Sequence, residues 1–139
     1  MNAHLPSITV TARDHRRLMH TAQDLAGQAH PLAAPLLHEL RRATLCEPDG
    51  LPDDVIALDT FVTYRLAGED TSERRILIHP DDRMWPPAEL SVLTPIGLSL
   101  LGLRVGDRMP LLGLHEPLDV YVEAVGPRAV GAFGPVGIE

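Results

Sequence analysis

The stretch whose reading decides the fold is "SVLTPIGLSLLGLRVGD", Ser91 to Asp107. Thr94 is a good N-cap, Pro95 suits the first helical position, and Gly102 suits the left-handed residue just past a last turn. The spacing predicts a helix over 95–101. Gly97 inside it costs about 1 kcal/mol against alanine. Packing of Ile96, Leu100 and Leu101 against a sheet must therefore hold this two-turn helix, after which "VGD" turns the chain into the next strand. Ile96, Leu100, Leu101, Leu103 and Val105 are assigned to packing, and Leu93, Thr94 and Pro95 to an exposed lead-in.

Upstream, "TARD" at 11–14 is a capping pattern, with Thr11 placed to accept from a backbone N–H three residues on and Asp14 near the positive end of the helix dipole. Leu18, Ala22 and Leu25 then recur at helical spacing until Gly27 and "HP" at 30–31. A second stripe runs through Leu32, Leu36, Leu37, Leu40 and Ala43 until "EPDGLPDD". Two one-sided helices joined by a short breaker bury their stripes against each other, as an antiparallel hairpin with arms of about 22 Å at 1.5 Å per residue.

From Val55 the period changes to two, with Ile56, Leu58, Thr60, Val62, Tyr64 and Leu66 on one face. "RRILIHP" and "LSVL" read as further strands separated by the loop "DDRMWPPAE", and "RMPLL" with "LDVYVEAV" as a closing antiparallel hairpin. The expected class is α+β: a short N-terminal antiparallel helical hairpin over 1–48 and a small antiparallel sheet crossed by one short helix over 52–125. A flexible, glycine- and proline-rich tail is expected over 126–139.

The chain has 139 residues, a formal charge of −7 and a single cysteine, so no intramolecular disulfide is possible. All twelve basic residues are arginine. Between Thr11 and Leu45 the balance is +2, leaving −9 for the rest: a mildly basic head on an acidic body. That charge disfavours general binding to a phosphate backbone, which proceeds by arginine and lysine releasing counterions. No direct sequence-specific nucleic-acid binding is expected, and a protein is the favoured partner. No apolar run is long enough to span a bilayer, and "MNAHLPSITV" lacks the flank and core of a secretory signal, so a cytoplasmic protein without membrane contact is expected.

The chemistry-bearing residues do not assemble. His15 and His20 are five apart and share no helix face, and His79 with Asp81 in "HPDD" is a lone pair, whereas zinc takes three or four ligands. Cys46, beside Glu47 at the end of the second helix, sits where a thiolate is disfavoured. Asp53 and Asp54 read as a linker turn. No catalytic residue, metal or cofactor is assigned, and the chain is read as a non-enzyme.

The order of hairpin, "LPDDVIALDTFVTYRL", "RRILIHP" and above all "LSVLTPIGLSLLGLRVGD" resembles the bacterial regulator of nucleoside diphosphate kinase family, related to the Gre transcript-cleavage factors. The resemblance spans roughly 8–125. It implies a C-terminal FKBP-like domain and an N-terminal coiled coil, with RNA polymerase as partner near its secondary channel. It places docking contact at Leu93, Thr94 and Pro95, where Gre factors tend to carry an acidic or amide residue at the position of Leu93. Arg16, Arg17, Arg41 and Arg42 are the candidate contacts on the hairpin. Transcript cleavage by Gre factors depends on acidic residues at the end of a long coiled coil, which help hold a second magnesium ion in the polymerase. Here the tip, "AGQAHPLAAP" at 26–35, carries no carboxylate, and Asp24 and Glu39 lie down the arms. The resemblance therefore implies a regulator that competes with Gre factors without cleaving. The alternatives are an adaptor unrelated to polymerase, docking through the arginines, and a peptidyl-prolyl isomerase, for which the chain carries few aromatic rings.

Overall fold

In the computed structural model, residues 5–84 and 86–128 are described. Thr11 closes a short strand, β1 (Thr9–Thr11), and caps helix α1 (Ala12–Gly27) by accepting from the Asp14 N–H at 3.1 Å. Leu18, Ala22 and Leu25 form its buried stripe and face Leu36 and Leu40 of α2 (Ala33–Arg42). The arms are unequal, because α2 has ten residues and is about 15 Å long. The chain turns extended at Ala43 and forms β2 (Thr44–Cys46), parallel to β1. Cys46 thus lies in a strand and not at a helix end. Nothing local announces this pairing, since each strand is only three residues long and its partner lies 35 residues away.

The five-stranded sheet has the order β5-β4-β3-β7-β6, built from β3 (Thr60–Leu66), β4 (Glu73–Ile78), β5 (Glu89–Ser91), β6 (Arg108–Pro110) and β7 (Asp119–Arg128). It is mixed and not wholly antiparallel: β4 and β5 run parallel, with Leu77 opposite Leu90. The connection between them, residues 79–88, crosses over instead of turning back, as a parallel pair requires. The alternation predicted from Val55 onward becomes a strand only at Thr60. Val55 to Leu58 are all buried, and Ile56 bonds to Gly102 and Leu103, filling the core where a half-exposed strand was expected. At the other end β7 continues through Gly126 and Pro127 to Arg128, and the remainder of the expected tail lies outside the described residues.

Helix α3 (Pro95–Leu100) forms where its cap and proline predict, with Thr94 Oγ1 accepting from the Gly97 N–H at 3.0 Å. Leu98, Leu100, Leu101 and Leu103 are fully buried. Val105 is 47% exposed, contrary to its assignment to packing, because Asp107 closes the turn by accepting from the Arg104 N–H at 2.8 Å and leaves Val105 outside. Gly97 is required by space. A Cβ there would stand 2.0 Å from the Ser91 carbonyl oxygen.

One continuous cluster of buried side chains takes in Leu18, Leu25, Leu36 and Leu40 of the hairpin together with Val62, Leu98, Val120 and Val122. The hairpin is therefore packed on the body and does not stand away from it. Each fully buried leucine is worth about 1.5–3 kcal/mol. Gly102 joins the two parts: its backbone has φ +80, its carbonyl accepts from the Thr9 N–H at 3.2 Å, and a Cβ would lie 2.7 Å from that of Ile8. Gly102→Ala is expected to lose about 2–5 kcal/mol in urea unfolding, combining left-handed strain with overpacking. Gly27→Ala, where a Cβ meets nothing, should keep or gain up to about 1 kcal/mol.

Candidate functional site

The loop into α3 is preorganised. Ser91 Oγ accepts from the Leu93 N–H at 3.0 Å, and the Thr94 hydroxyl donates to the Ser91 carbonyl at 2.8 Å while accepting from Gly97. Beyond it, Ser99 Oγ donates to the Pro95 carbonyl at 2.6 Å and accepts from the Leu112 N–H at 2.7 Å. Leu93, Thr94 and Pro95 are half-buried, and Leu93 packs on the core, so the lead-in is less exposed than its sequence suggests. With its hydroxyl used in both directions, Thr94 is a structural cap. What the loop offers a partner is shape and the apolar edge of Pro95. The hairpin turn lies close by, since a Cβ on Gly113 would stand 3.9 Å from Pro95 Cγ and 2.9 Å from Leu32 Cδ2.

The four candidate arginines divide into two kinds. Arg17 makes a bidentate pair with Asp82 at 2.7 and 2.9 Å. Arg42 does the same with Glu39 at 2.8 and 2.9 Å and also donates to the Pro6 carbonyl at 2.6 Å. Glu39 is 1% exposed, so this pair cannot be opened without leaving a charge buried. Arg16 and Arg41 are exposed and make no ion pair with a described residue. Arg16 borders a shallow cavity of about 380 Å³ that also exposes Leu45. Both free arginines sit toward the root of the hairpin, whereas Pro95 lies beside its turn. About 16 Å of helix separates Arg16 from the end of α1. The loop and the free arginines are two patches and not one.

A polar clasp binds α1 to the 79–82 turn. His79 is buried and caps that turn, its Nδ1 accepting from the Asp81 N–H at 3.1 Å. The ring proton then belongs on Nε2, which donates to Thr21 Oγ1 at 2.8 Å, and the Thr21 hydroxyl donates in turn to the Arg17 carbonyl at 3.2 Å. Burial, helped by the Arg17 charge, holds the His79 pKa below its ordinary value, against the opposing carboxylates of Asp81 and Asp82. Hydrogen bonding to Arg17 lowers the Asp82 pKa, while burial raises those of Asp14 and Asp59. Sequence shows His79 and Asp81 only as a lone pair in "HPDD"; the clasp itself leaves no local sign, because its partners are 58 and 65 residues away.

The profile of the Rnk N-terminus family matches residues 6–45, the segment from before β1 through α2 into β2. The regulator of nucleoside diphosphate kinase of Escherichia coli K12 is 34% identical over 131 residues, covering 92% of this chain and 96% of that protein. The chain belongs to the regulator of nucleoside diphosphate kinase family. It is also 29% identical over 123 residues to the transcription elongation factor GreA of Chlorobium limicola, covering 81% of this chain and 77% of that factor. Among solved structures, a GreA/GreB elongation factor from Nitrosomonas europaea matches with a TM-score of 0.69 at 28% identity, over 87% of this chain and 100% of that one.

Within this family member the hairpin turn is short of acidic groups. Residues 28–32 connect the helices through Ala29 at φ 54, and His30 Nδ1 accepts from the Leu32 N–H at 3.0 Å. Asp24 is exposed on α1, and Glu39 is locked by Arg42. Among the described residues no group of three or more histidine, cysteine, aspartate or glutamate side chains is arranged to hold a metal ion.

The clasp makes stability depend on pH in a definite sense. The folded His79 pKa lies below 6.5, so as pH falls through that value the unfolded chain takes the proton first and stability declines. Above it the neutral ring contributes fully. Melting temperature should therefore drop between pH 7.5 and pH 5.5, and His79→Gln should flatten that slope. The raised carboxyls of Asp14 and Asp59 act in the opposite sense and in the lower, carboxylate range.

Proposed function

We propose that this protein is a non-catalytic transcription regulator that binds RNA polymerase near its secondary channel and competes there with Gre factors. The observation that carries this reading is the pairing of a rigid Leu93–Thr94–Pro95 loop with a short hairpin whose turn lacks carboxylates, in a fold shared with a GreA/GreB factor. The loop needs no ordering on binding, which favours affinity. The hairpin supports occupancy without cleavage: Glu39 is committed to Arg42, and α2 reaches only about 15 Å. Arg16 and Arg41, free of internal partners, supply a second contact suited to an acidic surface. The protein acts in the cytoplasm in this reading, and among its described residues no helix is long and apolar enough to cross a membrane.

A competition assay on core polymerase tests it. The purified chain should displace a labelled Gre factor and should produce no cleavage of a backtracked transcript. Pro95→Asp should weaken displacement by about tenfold or more, equivalent to about 1.4 kcal/mol. The pair Arg16→Glu and Arg41→Glu should slow association and reduce its dependence on salt. Failure to bind core polymerase, or to displace the factor at excess, removes the proposal. Binding lost only with the arginine pair, and untouched by Pro95→Asp, places the polymerase contact on the hairpin and removes the Pro95 loop from it, whereas no polymerase binding at all leaves the adaptor unrelated to polymerase.

A further inference from the structure

Beside the Pro95 loop, on the core face of the sheet, lies a pocket of about 260 Å³. Tyr64 of β3, Leu90 of β5 and Ile96 of α3 form its floor together with Leu66. The turn between β3 and β4, with the first residues of β4, forms its lip and brings Glu69, Glu73 and Arg75 to it. Sites for drug-sized ligands span about 300–1,000 Å³, so this one suits a single long side chain.

Tyr64 gives the pocket its chemical character. The residue is 3% exposed, and its hydroxyl makes no hydrogen bond to any described residue. A buried phenol ordinarily finds such a partner. Glu73 is its register partner on β4. Burial raises the Tyr64 pKa, with the Arg75 charge opposing and the Glu73 charge adding, so the ring feels the charged lip. The lip itself is acidic. Glu69 is exposed, and its carboxylate forms no ion pair with a described residue. Arg75 reaches Glu73 at 3.1 and 3.3 Å, both through Oε1, which leaves Oε2 open among the described residues. Arg65 bonds the Glu69 carbonyl but gives its charge to Glu123, and Arg74 lies over the Phe61 ring on the opposite face. With Glu69, Asp70 and Glu73 against Arg75, this side of the turn carries a net −2.

We propose that this pocket seats an arginine side chain of a protein partner, with its guanidinium shared between the Tyr64 hydroxyl and the carboxylates of Glu69 and Glu73. A long basic side chain is apolar along its stem and charged at its head, which is the order of the pocket's floor and lip. Leu66, Leu90 and Ile96 take the methylenes. The guanidinium carries five N–H donors in one plane and serves a phenol oxygen and a carboxylate together, whereas an ammonium is a point charge without that fixed fork. An acidic side chain would meet Glu69 and Glu73 as like charge, so the lip also selects against it. Pro95 and Ile96 are consecutive, and a partner seated on the loop therefore passes the mouth of the pocket. The inference rests on the polymerase reading only for whose arginine this is.

N-acetylargininamide is the probe for the full chain, with N-acetylcitrullinamide, neutral and similar in shape, as its control. The chain holds two tyrosines, so isotope labelling of tyrosine alone gives a separate NMR signal for each ring. Tyr121, with Arg65 over its ring at 4.9 Å on the opposite face, is the internal reference. The arginine amide should move the Tyr64 signal saturably, in about the millimolar range expected of so small a ligand, and leave Tyr121 in place. Tyr64→Phe removes only the hydroxyl, and Glu69→Gln changes an exposed carboxylate. Followed on the backbone amide of Leu66, each should weaken binding by about threefold to tenfold, as loss of one hydrogen bond or ion pair does. A Tyr64 signal that stays still, or that moves equally with the citrulline amide, overturns the proposal. So does undiminished binding in both variants. On core polymerase the same variants should weaken displacement of a Gre factor by about threefold or more. Arginine binding by a chain that does not bind polymerase would remove that reading and keep the pocket for another protein, and polymerase binding without arginine binding would do the reverse.

Discussion

The contact on which the rest of this structure depends is the backbone junction at Gly102. In that one residue the chain leaving α3 donates to Ile56 at 2.8 Å, accepts from Thr9 at 3.2 Å and turns left-handed, while Leu103 accepts from Ile56 at 2.8 Å. Three segments far apart in sequence are joined there without a side chain between them. Because Ile8 occupies the space a Cβ would need, the close approach also sets the position of β1 and so of the helix that Thr11 starts. The hairpin is held at its root by this junction, along its length by the His79–Thr21 and Arg17–Asp82 clasp, and at its turn by Leu32 against the Pro95 side of the body.

Three points of attachment have a functional consequence. A helical hairpin joined to a body by a flexible linker can change its angle to suit a channel, whereas one sharing a hydrophobic core with that body presents a single shape. The cost of freeing it would be the exposure of Leu18, Leu25, Leu36 and Leu40, several kcal/mol in all. In the proposed reading, such a hairpin meets its partner at a fixed geometry. Its two candidate contacts, the Pro95 loop and the free arginines at the hairpin root, are held apart at a constant distance. Of the four hairpin arginines considered as candidates, Arg17 and Arg42 are committed to internal carboxylates, which leaves Arg16 and Arg41.

Much of this was legible in the chain because it follows from short-range rules. Thr11 and Thr94 announce helix starts through a hydroxyl that bonds three residues on, and Pro95, Gly97 and Gly102 mark a helix with tight neighbours. The alternation of Val62, Tyr64, Val120 and Val122 identifies strands with one buried face. The resemblance in "LSVLTPIGLSLLGLRVGD" pointed to the family to which the chain proves to belong.

What escaped was everything set by a partner distant in sequence. β1 and β2 are three residues each and exist only as a pair, so neither has a periodic signal of its own. The parallel placement of β5 depends on the path of the 79–88 crossover, which alternation does not encode. An arginine looks the same in sequence whether it faces solvent or a carboxylate, so only the packed chain separates Arg16 from Arg17. The sequence by itself determined the helices, the strands of the sheet and the capped loop, since bonds between near neighbours specify them. The tertiary structure alone decided which polar groups remain available to a partner, because burial and long-range pairing consume the others.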